Sequence, residues 1–183
     1  MLRYSEKITA AEEPLDLSEA ANHAKALPDK TDNDLIENLI VAAREYCEGV
    51  TGRSFVQREI IAYPNNLFGE ICLPKPPVQR IESFVAYDEN GNAHEITDYY
   101  VDEKNGVVTV YSSPGIPLRK VNPYEIKYVS GYDIVPAMVK QAMLLMVGHW
   151  YINRESVVVG SNASVEVDLT TKALLKQHKV WWL

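Results

Sequence analysis

Residues 136–153 carry a single Asp, Glu, Lys or Arg side chain, Lys140. Met138, Val139, Ala142, Met143, Leu144, Leu145, Met146, Val147, Trp150, Tyr151 and Ile152 wrap nearly the whole circumference of the helix that this stretch predicts, and Pro136 suits its first turn. A helix that is apolar on every side has to be covered on every side. It is therefore expected to be the central helix of the fold, or to lay one face on another subunit. It is not a membrane span, because its longest apolar stretch, 142–152, falls well short of the ~20 residues that a bilayer requires.

The rest of the chain reads as helices around a β-rich middle. Residues 1–16 are polar, without a sustained period, and are expected to form an extended arm. A short helix should open at Leu17, with Ser18 as its N-cap, and end before Pro28. A second should follow Thr31 and Asp32. Its apolar stripe is Leu35, Ile36, Leu39, Ile40, Ala43, Tyr46, Cys47 and Val50, with Glu37, Asn38, Arg44, Glu45 and Glu48 on the other side. From Ser54 the texture changes to short β-branched and aromatic runs at 56–63, 70–73, 80–87, 93–96, 99–102, 107–111 and 124–129. Asn90-Gly91 signals a hairpin in which both residues tolerate positive φ. Pro74, Pro76 and Pro77 force an extended crossover. The runs are expected to form one small antiparallel sheet. After the long helix, a valine-rich loop at 156–167 should lead to a last helix at 171–178, capped by Asp168 or Thr170. The fold class is thus α+β: a small bundle of about four helices with an antiparallel β insertion between the second and third main helices. Residues 17–53 hold the first helices, 54–130 the insertion, and 131–183 the long helix, loop and C-terminal helix, all within one domain.

No phosphate-binding glycine loop, nucleophile elbow or zinc-binding helix pattern occurs, and the four histidines show no metal-ligand spacing. No catalytic residue, cofactor or metal is expected. Cys47 lies on an apolar stripe and Cys72 alternates with Ile71 and Leu73, so both read as small core residues. His149, beside Trp150 and Tyr151, offers the one alternative: a small ligand-binding or hydrolase domain with a pocket there. The simpler reading is a partly buried imidazole satisfied by backbone. The carboxylate pairs Glu12-Glu13, Asp88-Glu89 and Asp102-Glu103 read as solvated turn charges, and Arg119-Lys120 as a solvated basic step.

With 46% hydrophobic and 23% charged residues the chain is an ordinary globular one, not a disordered one. Its net charge of −7 argues against gripping nucleic acid through phosphates. Two cysteines make no secreted disulfide framework. The first residues lack the apolar core of a secretory signal, so a soluble protein made in a cytoplasm is expected. What resists a purely structural reading is apolar surface in excess: the helix at 136–153, the valines Val157, Val158 and Val159, and the terminal indoles Trp181 and Trp182. Such surface asks for a partner.

Several segments together resemble a known family. AAREYCEGVTGR at 42–53 resembles the end of the second helix in phage head–tail connector proteins, the head-completion or adaptor proteins of long-tailed phages. LPKPPVQRI at 73–81, YDENG at 87–91 and YVD at 100–102 are similar to their crossover, hairpin and following strand. YVSGY at 128–132 and the run from Val135 to HWYINRE at 149–155 resemble their long-helix signature. The chain departs at 114–119, where the family has a Trp-Pro step, and after Leu174-Leu175, where it has a proline. The resemblance implies a structural virion protein without enzymatic activity. It would form a homo-oligomeric ring, dodecameric in the virion if it follows the family, although the free protein could be a monomer. The ring would sit between the portal protein of the head and a tail or stopper protein, letting DNA pass without sequence-specific binding and touching no membrane. Val157, Val158, Val159, Trp181 and Trp182 are the expected interface residues.

Overall fold

The computed structural model describes residues 2–9, 12–26, 31–153, 163–180 and 182; within 163–168 it describes the backbone only. The elements are β1 (Arg3–Ile8), α1 (Leu17–Ala24), α2 (Asn33–Thr51), β2 (Arg58–Tyr63), β3 (Glu70–Cys72), β4 (Val78–Tyr87), β5 (Ala93–Glu95), β6 (Tyr99–Asp102), β7 (Val107–Val110), β8 (Tyr124–Ser130), α3 (Ala137–Ile152) and α4 (Ala163–Lys176). The fold is mixed α+β, and its contacts divide it into two units. A β unit holds the N-terminal strand, 52–133 and Trp182; a helical unit holds the segments from Glu12 to Thr51 and from Ile134 onward.

In the helical unit α3 lies against α1, α2 and α4, the covering that its apolar circumference demands. Val139, Ala142, Met143, Leu144, Met146, Val147 and Gly148 are buried along it. At Gly148 the helix passes so close to α1 that a Cβ would lie 3.2 Å from Cδ2 of His23. The cap of α1 is Asp16 rather than Ser18: its carboxylate accepts from the Ser18 backbone N–H at 2.8 Å and from the Ser18 hydroxyl at 3.0 Å. An aspartate there also meets the positive end of the helix dipole, which a serine cannot do. Pro136 precedes the first turn of α3 as its N-cap. The last helix begins at Ala163, well before the 171 expected. Val165 and Val167 argue for extended chain by propensity, but that preference is a weak one.

The β unit holds two antiparallel sheets, not one. The larger has the order β1-β2-β8-β4-β5 and the smaller β3-β7-β6. Their facing residues alternate along each strand, and Ile60, Phe84, Ile126 and Tyr128 meet Ile71 and Val108 in a shared core. Phe84 and Tyr99 carry this contact between the sheets, ring centroids 5.4 Å apart. The N-terminal arm is extended as expected, but it is also paired: β1 runs antiparallel to β2 from Arg3 opposite Tyr63 to Ile8 opposite Arg58. Gly131 follows β8 at φ +124°, with its Cα so near the segment leading into β2 that a Cβ would sit 2.5 Å from the Val56 carbonyl oxygen. In the hairpin at 88–92 only Gly91 takes positive φ, and Asp88 organises the turn instead of an Asn90-Gly91 pair in mirror-image conformation.

Candidate assembly surfaces

Several of the polar side chains singled out by sequence are engaged in holding the fold. Tyr151 donates to a carboxylate oxygen of Asp32 at 2.6 Å. The amide of Asn153, one turn further on, reaches both Nδ1 of His149 at 3.2 Å and the His149 carbonyl at 2.9 Å. Tyr151 thereby links α3 to the start of α2, while Asn153 closes the end of α3 around His149. Cys47 is fully buried, and burial together with the neighbouring Glu48 pushes its thiol up to about 12. Cys72 is half-buried and is likewise shifted upward by burial. Neither provides a thiolate at neutral pH.

Two charged groups placed by periodicity on the solvent side of α2 are buried. Arg44 and Glu48 each expose only 3% of their side chains, 3.1 Å apart at i,i+4 spacing. Glu13, read as a solvated turn charge, accepts from Nε of Arg44 at 2.8 Å. Burial works against the Arg44 charge, but the hydrogen bond to Glu13 and the carboxylates around it outweigh that and raise its pKa further. The amphipathic pattern placed this side in water because it counts charge, not pairing. The Arg-x-x-x-Glu spacing was the available signal.

Three of the other expected surface charges, Asp88, Asp102 and Arg119, also have partners. Asp88 accepts from Asn92 through side chain and backbone, from the Asn90 backbone and from Nε2 of His94, which holds its carboxyl at about 2. Asp102 accepts from Asn105 in the next turn and is lowered for the same reason. Arg119 is not simply solvated: its guanidinium lies 3.8 Å from the Tyr87 ring centroid and its Nε donates to the Asn122 carbonyl at 2.8 Å. A depression of about 160 Å³ beside this region is lined by Asp88, Glu89, Asn90, His94, Ile116 and Pro117. Asp88 already serves several donors, and no group of three or more His, Cys, Asp or Glu able to hold a metal occurs among the described residues. No helix among them is long and apolar enough to cross a membrane.

What the molecule does offer is exposed apolar surface. Phe68, Tyr100, Tyr111 and Val121 stand out on the β unit, and Ile134, Ile152 and Leu169 on the helical unit. Of the interface residues expected from sequence, Val157, Val158, Val159 and Trp181 lie outside the described residues. Trp182 is half-buried in the β unit, its indole Nε1 3.4 Å from the Asn105 carbonyl oxygen.

The fold thus defines its class: an α+β chain in which a helical unit is interrupted by a two-sheet β unit. A family model of head completion proteins matches residues 15–175, and the chain belongs to that family. Its role is that of a structural head–tail connector. Solved structures of similar fold come from gene transfer agent particles. One is from the neck of a native particle computed with C12 symmetry: TM-score 0.70, 19% identity, covering 98% of this chain and 95% of that one. Another is from the virion of a native particle: TM-score 0.71, 16% identity, covering 96% and 95%. A third is from the neck of an empty particle computed with C6 symmetry: TM-score 0.69, 14% identity, with the same coverage. At such identities the likeness is one of fold. No curated protein sequence matches the chain.

Proposed function

We propose that copies of this chain close into a ring between the portal of a DNA-filled head and the tail or its stopper, and that the chain acts as a structural part with no reaction of its own. The observation that carries this reading is the family match over residues 15–175, which takes in most of both units. The similar folds from necks computed with C6 and C12 symmetry support a ring. A closed ring of identical subunits needs head-to-tail contacts between two different patches, and exposed apolar area on both units supplies candidates. The net charge of −7 suits a passage for DNA, because an acidic wall gives phosphates nothing to hold.

Val157, Val158 and Val159, with the C-terminal Trp181 and Trp182, are the residues we assign to contacts with a neighbouring copy or the portal. Ile152 and Leu169, exposed on the helices that flank the triple valine in sequence, extend the same apolar character. Replacing all three valines by serine should leave the circular dichroism and thermal melt of the purified chain unchanged while filled heads fail to acquire tails. Normal tail joining by that variant would remove the loop from the interface. If the chain and portal rings keep their separate solution masses when mixed, the connector reading itself is refuted.

A further inference from the structure

We propose that the loop carrying Lys120 and Val121 of one copy seats on the outer face of the β3–β7–β6 sheet of the next copy, rings and acids on one side meeting a lysine and a valine on the other. This contact rests on the ring reading above.

The receiving face follows from register. Glu70 and Tyr100 both lie opposite Thr109, so the three form one row across the sheet. Tyr111, two residues beyond Thr109, donates its backbone N–H to the Asp98 carbonyl at 3.0 Å, which begins the next row on the same side. The residues between them, Ile71, Val108 and Val101, point the other way into the core shared with the larger sheet. One face of this sheet is therefore satisfied. The other presents Tyr100 at 58% and Tyr111 at 67% exposure, flanked by exposed Glu70 and Asp98. Tyrosine rings beside carboxylates form a surface suited to an aliphatic ammonium, through ring-face attraction and direct charge pairing.

The incoming loop is rigidly built for a surface feature. Arg119 stacks on Tyr87 and binds the Asn122 carbonyl. Arg3, from β1, donates to the Asn122 side chain at 2.7 Å. Asn122 itself holds a left-handed φ of 49°, a conformation that persists in a non-glycine residue where its surroundings over-determine it. At the tip of this braced loop are Lys120, exposed, and Val121, 66% exposed. A preorganised protrusion loses little entropy on docking.

Charge selects the occupant. Copies carrying −7 each repel in general, so a contact between them needs a local reversal of sign, and a lysine tip against an acidic and aromatic face provides one. The loop is bridged to the end of β4 through Asp88 and Leu118, whereas the face belongs to the other sheet. The two patches are distinct, so association runs head to tail, the mode that closes rings.

The test completes purified heads with an equal mixture of light- and heavy-isotope-labelled full-length chain, then applies a carbodiimide that joins amines to neighbouring carboxylates. Mixed-isotope crosslinks from Lys120 to Glu70 or Asp98 are expected. Lys120→Glu or Glu70→Lys alone should lower copies retained per head about tenfold, and the two together should restore retention to within about threefold, as for a close interfacial charge pair. Tyr100→Ala with Tyr111→Ala should reduce retention without altering the thermal melt. Mixed-isotope crosslinks elsewhere but none at Lys120 would overturn this contact and leave the ring intact. Heads that retain a single copy, with no mixed-isotope crosslink anywhere, would overturn the ring and this contact with it. Failure of the double reversal to restore retention would also refute the pairing.

Discussion

Replacing Arg44 by alanine should be among the most damaging single substitutions in the helical unit. The side chain is 3% exposed and makes contacts of 2.8 Å to Glu13, 3.1 Å to Glu48 and 3.7 Å to Glu45. Glu45 is 65% exposed, so that contact contributes little. Glu48 is the deciding partner, because it too is 3% exposed and would be left as a buried carboxylate without its guanidinium. Breaking a buried pair from one side typically costs about 3–5 kcal/mol, and a slope of about 2 kcal/mol per molar urea turns that into a midpoint shift of about 2 M. Urea unfolding followed at 222 nm, where helices dominate the signal, reads it directly. The control is Arg44→Met with Glu48→Leu, which removes both charges and keeps the volume filled; it should stay within about 1 kcal/mol of the parent. If Arg44→Ala moves the midpoint by less than about 0.5 M, or the double variant is as damaging as the single one, an uncompensated buried charge is not what Arg44 prevents.

Gly131→Ala should cost about 3 kcal/mol or more, since φ of +124° is open in practice only to glycine and the new Cβ would press on the Val56 backbone, which cannot swing aside as a side chain could; a urea midpoint within error of the parent would contradict that geometry. Asp88 has its carboxyl lowered from 3.8 to about 2 by hydrogen bonds led by those from Asn92, so its contribution to the hairpin is fully present above about pH 4 and is lost as pH falls through 2. Carboxyl chemical shifts should place the Asp88 midpoint near 2, and Asn92→Ala should raise it; an unchanged midpoint would remove Asn92 as the cause. The Cys47 thiol, raised to about 12, should react with iodoacetamide at pH 8 about a thousandfold more slowly than an exposed cysteine until the chain is unfolded, as read by mass spectrometry of the modified peptide.

Much of the architecture is legible in the residues because burial imposes a period. All seven strand runs expected after Ser54 correspond to β2 through β8, within two residues at either end. The long apolar helix is central to its unit, as its composition requires. The remaining features leave no local period in the sequence. Strand β1, Arg3-Tyr-Ser-Glu-Lys-Ile8, sits at a sheet edge with nearly every side chain exposed, so no alternation marks it. The two-sheet division depends on which strands pair across a long separation, for which local pattern carries no signal. Arg44 and Glu48 look solvent-facing until their mutual pairing is seen. Of the expected interface residues, Trp182 alone falls among the described ones, half-buried in the β unit.

A protein whose work is done by surfaces leaves a different trace from one whose work is done by a cleft. Catalysis requires several reactive groups to converge within hydrogen-bonding distance, whereas among the described residues Arg44 engages Glu13 and Glu48, Asp88 its own hairpin, and Tyr151 Asp32. Assembly requires that some apolar side chains escape the core, and alternation along a strand says that one face will be buried without saying what the other is for. Tyr99 and Tyr100 illustrate this. They are adjacent and chemically identical, yet Tyr99 packs on Phe84 and Tyr100 faces outward because Tyr99 lies opposite Val110 and Tyr100 opposite Thr109. The second tyrosine keeps 58% of its surface exposed there. Exchanging Tyr100 for threonine should accordingly leave the free energy of unfolding in urea within about 0.5 kcal/mol of the parent, as for surface substitutions generally, while weakening retention on heads. A loss of stability of the size expected for a core residue would mean that this ring serves the chain that carries it and not a neighbour.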